Sequence, residues 1–111
     1  MKISEVIDDC KRLSMDLDKK SSGKPKVSHY YSGYDISTYL KQQLPFKQVE
    51  FYAEDGFALA LSASEACENL LLVDCIDGKP LLIEEGLTLV ITNDTTSRRW
   101  CKYITEMQVK R

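Results

Sequence analysis

An α+β fold, dominated by β structure with short helices, is the architecture this sequence predicts. Three observations carry that expectation. Apolar and polar residues alternate through several short segments, as half-buried strands require. Gly56 and Gly78 follow aspartates between such segments, where hairpins turn. Helical spacing is confined to short stretches, each near a capping residue or a breaker.

The elements follow in order. Ile3, Val6, Ile7, Cys10 and Leu13 recur at three- and four-residue steps, so "ISEVIDDCKRL" predicts a short amphipathic helix. Leu13, Met15 and Leu17 then alternate with Ser14, Asp16 and Asp18 as a half-buried strand. "DKKSSGKPK" is a loop, and "KVSHYYSG" is a second extended stretch. Asp35 is placed to cap a helix over "ISTYLKQQL", with Pro45 beyond its end. "QVEFYA" and "FALALS" flank "EDG" as a hairpin. Ser62 and Glu65 stand three apart, a capping-box pattern that opens a helical turn through Cys67. "LLLVDCI", the Asp77–Gly78 turn, "KPLLIEEG" and "LTLVIT" continue the sheet. After "NDTTS", the segment "RRWCKYITEMQVK" carries Trp100, Tyr103, Ile104, Met107 and Val109 as apolar anchors.

The 111 residues fit a single domain over 1–111, with room for one core. A formal net charge of −2, with Lys and Arg scattered, argues against nucleic-acid and anionic-membrane surfaces. No apolar run approaches the roughly 20 residues of a membrane-spanning helix. "MKISEVIDDCKRL" has acidic residues where a signal peptide is apolar, so a cytoplasmic location is expected. The four cysteines lie far apart without a C-x-x-C pair, and His29 is the only histidine. That spacing argues against a metal site, while the missing export signal and an adequate core favour reduced thiols over a disulfide framework.

Few residues offer chemistry. Cys75 lies in "NLLLVDCIDGKPLLI"; on a strand of period two it shares a face with Leu71 and Val73, which predicts a packed core thiol. His29 lacks a Ser-His or Cys-His pattern and reads as a sheet-surface histidine among aromatics. Tyr30, Tyr31 and Tyr34 suit packing or a partner surface, with a stacking platform for a ring-shaped ligand as the alternative. Glu54–Asp55 and Glu84–Glu85 are turn carboxylates that nothing holds across a cleft. No catalytic residue is expected.

"GYDISTYL" resembles the G-x-x-L-x-x-L helix start in the molybdopterin-binding domain of sulfite-oxidase-type enzymes. "VEFYAEDGFALALSASEA" is similar to that domain's strand, D-G turn, strand and capped helix. "LLLVDCIDGKPL" is similar to its LLA-x-x-x-N/D-G-x-P-L hairpin, and "GLTLVIT" with "RRWCKYITEMQV" echoes its ending. The resemblance covers residues 33–109 in the same order. It implies a mostly β domain with a mixed sheet and short helices and, in the enzymes, a molybdenum ion on a pterin, with one cysteine thiolate as ligand. That cysteine comes from the half of the domain before the segment matching Gly33. Only Cys10 precedes Gly33 here, and its helical spacing places it on an apolar face.

The resemblance therefore implies a non-catalytic relative that binds no molybdopterin, acting as a binding or structural module with a protein partner or small anionic ligand. Two alternatives stand beside it: a molybdopterin-binding oxidoreductase domain, and a small anionic-ligand binder. Ser97, Arg98 and Arg99 match the loop that approaches the pterin in the enzymes. They are the candidate cofactor- or anion-binding residues, with Trp100 anchoring the segment behind them.

Overall fold

The computed structural model describes the chain apart from residues 20–22, 24, 26, 83–85 and 95–98, with Lys19 described by its backbone alone. The short helix α1 (Ile3–Val6) passes into a 3₁₀ turn over Ile7–Asp9 and ends there. Leu13, expected as the last residue of that helical face, already belongs to strand β1 (Arg12–Lys19). Strand β2 (Val27–Tyr34) follows, then helix α2 (Ile36–Lys41). The expected cap is in place: the Asp35 side chain accepts from the Thr38 N–H. Strands β3 (Gln48–Ala53) and β4 (Ala58–Ser62) form the hairpin around Gly56. Ser62 caps helix α3 (Ala63–Ala66), its hydroxyl accepting from the Glu65 N–H at 3.3 Å. Strands β5 (Leu70–Ile76), β6 (Lys79–Pro80), β7 (Leu87–Ile91) and β8 (Cys101–Lys110) complete the chain.

The strands lie in the order β1-β2-β5-β7-β8-β3-β4, with β6 paired to β5 off that path. Every pairing among them is antiparallel, so the sheet is not the mixed one that the resemblance implied. Neighbours such as β3–β4 and β5–β6 are joined by links too short for the crossover a parallel pair needs. The architecture is a mostly antiparallel sheet with a few short helices, an α+β arrangement.

The sheet buries apolar side chains on both faces. On the first, Leu70 and Leu72 of β5 join Val49, Phe51, Leu87, Leu89, Ile104 and Met107 under Ile3, Val6, Ile36 and Leu40 of the helices. On the second, Leu71, Val73, Val90 and Tyr31 form a smaller cluster flanked by Met15, Leu17, Ile76, Leu81 and Trp100. Among the described residues no polar or charged side chain is buried, and no helix is long and apolar enough to cross a membrane.

Two irregularities shape the surface. Ser32 pairs with Cys75 but Gly33 pairs with Val73, so Asp74 is an extra residue on β5. Beside it the backbones approach so closely that a Cβ on Gly33 would lie 2.0 Å from the Leu72 carbonyl oxygen. On β8, Leu89 pairs with Cys101 and Leu87 with Ile104, and Tyr103 takes φ +64°. That bulge turns Tyr103 outward: it is exposed, not the anchor its spacing predicted.

Candidate functional site

The described chemistry gathers in three places: around Arg99, at the Asp74 bulge, and at the Asp77 turn. Of the three predicted binding residues, Ser97 and Arg98 lie outside the described residues, and Arg99 stands at the start of the terminal segment. Its guanidinium donates to Asp94 from both Nε (3.0 Å to Oδ2) and Nη2 (2.7 Å to Oδ1). Its Nη1 donates to Glu65 Oε2 at 2.9 Å. All three nitrogens are therefore committed, a fork-to-carboxylate geometry that ties the loop to helix α3. These hydrogen bonds, Asp94 first and Glu65 second, raise the guanidinium above its ordinary pKa.

Next to this clamp lies a cleft of about 270 Å³ between α3, β5 and β7. Leu61, Leu70 and Ile91 supply its apolar wall, and Glu65, Glu68, Asn69 and Asn93 its polar one. Carboxylates and amides on that wall suit a hydrogen-bond donor or cation better than an anion. Trp100 closes the loop from the other side. Its Nε1 donates to the Ile91 carbonyl at 3.2 Å, and its ring meets Tyr31 edge-on at 5.7 Å. The predicted anchoring role of Trp100 is what this geometry delivers, since the ring packs against both apolar clusters.

The Asp74 bulge changes the reading of Cys75. Residues directly opposite in a sheet share a face. Tyr31 pairs with Met15 and Ile76, and all three belong to the second cluster. Cys75 pairs with Ser32, which pairs with Ser14, so the thiol lies on the other face, beside the hydrogen-bonded Ser14–Ser32 hydroxyls. It is half-buried and joins neither cluster, which corrects the expected core thiol. The extra residue reverses the alternation after Val73. In the same bulge the Asp74 carboxylate takes Arg12 Nη1 at 2.6 Å, while the Arg12 guanidinium lies 4.7 Å over the Tyr34 ring.

At the turn, Asp77 Oδ2 meets His29 Nδ1 at 2.5 Å and Asp77 Oδ1 accepts from the Tyr30 N–H at 2.8 Å. The Tyr30 N–H first, and His29 second, hold the Asp77 carboxyl below the usual range. His29 packs edge-on to Tyr31, a sheet-surface histidine among aromatics as expected. The three tyrosines do not form one platform. Tyr31 is buried on the second face, whereas Tyr30 and Tyr34 point to the first. The Glu54–Asp55 pair is exposed, with Asp55 accepting from the Phe57 N–H; Glu84–Glu85 lie outside the described residues. Neither Arg12–Asp74 nor His29–Asp77 was anticipated, because each joins residues far apart in sequence. The D-G turn opposite an aromatic strand was the only local sign of the second.

All four cysteines are free thiols. Cys10, the one cysteine before Gly33, donates to the Val6 carbonyl and packs against the main core. Burial first, then the nearby carboxylates of Asp35 and Asp9, push it up to about 11. Burial also raises Cys67 and Cys101. A molybdenum ligand must be a thiolate facing an open site, and Cys10 does not fit that role. Among the described residues, no three His, Cys, Asp or Glu side chains converge where they can hold a metal ion. In comparison with known proteins, no family model matches the chain, and no curated protein matches it.

Proposed function

We propose that this chain is a small, cytoplasmic, non-catalytic binding or structural module, a relative of the sulfite-oxidase molybdopterin-binding fold that works through its surfaces. The observation that carries this reading is the state of Cys10. Its thiol packs against the main core and donates to the Val6 carbonyl, and burial pushes its pKa up to about 11, which supports a packing role for this cysteine. The described polar side chains support the same view. Arg12, Arg99 and His29 are each engaged by carboxylates that brace one segment against another.

Protein purified from cells that make the molybdenum cofactor is the test. Elemental analysis and mass spectrometry should find neither molybdenum nor pterin in stoichiometric amount. Near-equimolar molybdenum that survives gel filtration would favour the alternative, a molybdopterin-binding oxidoreductase domain.

Within the same reading, Ser97, Arg98 and Arg99 are the candidate residues for a small anionic ligand, with Arg99 held by Asp94 and Glu65. Titration with inorganic phosphate should then produce a saturable change in Trp100 fluorescence that weakens at high salt and disappears in Arg98→Ala. A flat titration removes the loop as a binding site.

A further inference from the structure

The main strand path ends on β1 and β4, each paired with one strand among the described residues, and these two edges differ in chemistry. Strand β1 carries Arg12, Asp16 and Asp18, charges of the kind that deter an added strand. Strand β4 reads Ala58-Leu59-Ala60-Leu61-Ser62, without a charge, a proline or a bulge, and exposed Phe57 precedes it.

Two backbone bonds fix the direction of its polar groups. The Ala53 N–H donates to the Phe57 carbonyl at 2.8 Å, and the Ala63 N–H to the Lys47 carbonyl at 3.0 Å. Alternation along the antiparallel ladder then turns the Phe57, Leu59 and Leu61 backbone toward β3. The N–H and C=O of Ala58 and Ala60, and the N–H of Ser62, are left facing outward.

We propose that this edge binds a second copy of the same chain, β4 against β4, antiparallel about a two-fold axis at Ala60. The strand is its own antiparallel complement. With Ala60 opposite Ala60, Ala58 meets Ser62 and Leu59 meets Leu61, so small faces small and leucine faces leucine. The same register makes the outward-facing residues the hydrogen-bonded pairs of the new ladder. It also sets Phe57, 56% exposed, opposite Ala63 of the partner subunit, where the ring is covered. No charge lies on the paired strands themselves. Exposed Glu54 and Asp55 flank them, and they repel the same pair on the second copy, so screening by salt favours the pairing. An isologous contact of this kind closes at two copies.

Sedimentation of the full chain from micromolar to millimolar concentration, at low and high salt, tests the proposal. The average mass should climb toward that of two chains, and sooner at high salt. In parallel, amide hydrogen exchange at Ala58 and Ala60 should slow as concentration rises. Ala60→Lys, on an exposed side chain, sets two ammonium groups opposite each other and should hold the protein monomeric with its melting temperature unchanged. A wild-type protein that stays monomeric throughout overturns the proposal. So does a dimer that Ala60→Lys leaves intact, or one whose Ala58 and Ala60 amides exchange as in the monomer.

Discussion

The two faces of the sheet share strand β5 but are built differently. On the first, Leu70 and Leu72 lie under three helices and a wide set of strand residues, forming a dry interior. On the second, Leu71 and Val73 are equally buried, yet their cover is strand and loop side chains that are themselves half-exposed, with Trp100 the largest. Complete burial of one residue therefore does not measure the strength of its surroundings. A side chain packed beneath helices loses contacts that cannot be refilled, whereas partly exposed cover can shift into a void.

Leu72→Ala should show the largest effect, about 3 kcal/mol in urea unfolding, with Val73→Ala at about half of that. Equal losses would erase the distinction between the faces. Gly33→Ala comes next, at about 2 kcal/mol, because its Cβ must displace the Leu72 backbone where β2 and β5 meet at the bulge. A neutral result would show that the bulge yields easily. Asp35→Ala removes the cap of α2, which covers the first face, and should cost about 1 kcal/mol. Its carboxyl is pushed up by burial but held lower overall by bonds from Thr38 and Ser37. That contribution is present above the ordinary aspartate pKa and is lost as pH falls through the lowered value, so the variant's deficit should shrink in acid.

Cys75→Ala should change stability least, by about 0.5 kcal/mol or less, and the native thiol should react with a maleimide faster than Cys67 does. Slow labelling would return Cys75 to the core. Alkali offers a further comparison. The raised pKa of Cys10 makes its stabilising share complete below the ordinary thiol value of 9.0 and lost as pH climbs through about 11. Stability measured at pH 8 and pH 11 should therefore fall less in Cys10→Ala than in the wild type. An identical decline in both would remove Cys10 from the account.

Local pattern by itself determined much of this molecule. Alternation and short strand-like runs between turns placed β1, β2, β3, β4, β5 and β7, and the Asp35 and Ser62 caps were legible because a capping side chain bonds backbone only three residues away. The D-G turns were legible for the same reason, since Gly56 and Gly78 both take positive φ. Tertiary structure decided the rest. No window of sequence shows that β5 gains one residue against β2, yet that residue moves Cys75 off the apolar face and turns Ile76 onto it. A second bulge exposed Tyr103. Arg99 read as a candidate anion-binding residue near Asp94, and only the fold brings Glu65, thirty-four positions earlier, within 2.9 Å of it. Capping and turn formation involve residues near one another in the chain, so their signals are local. Register and ion pairing depend on which distant strands meet, and a bulge of one residue reverses every side chain beyond it.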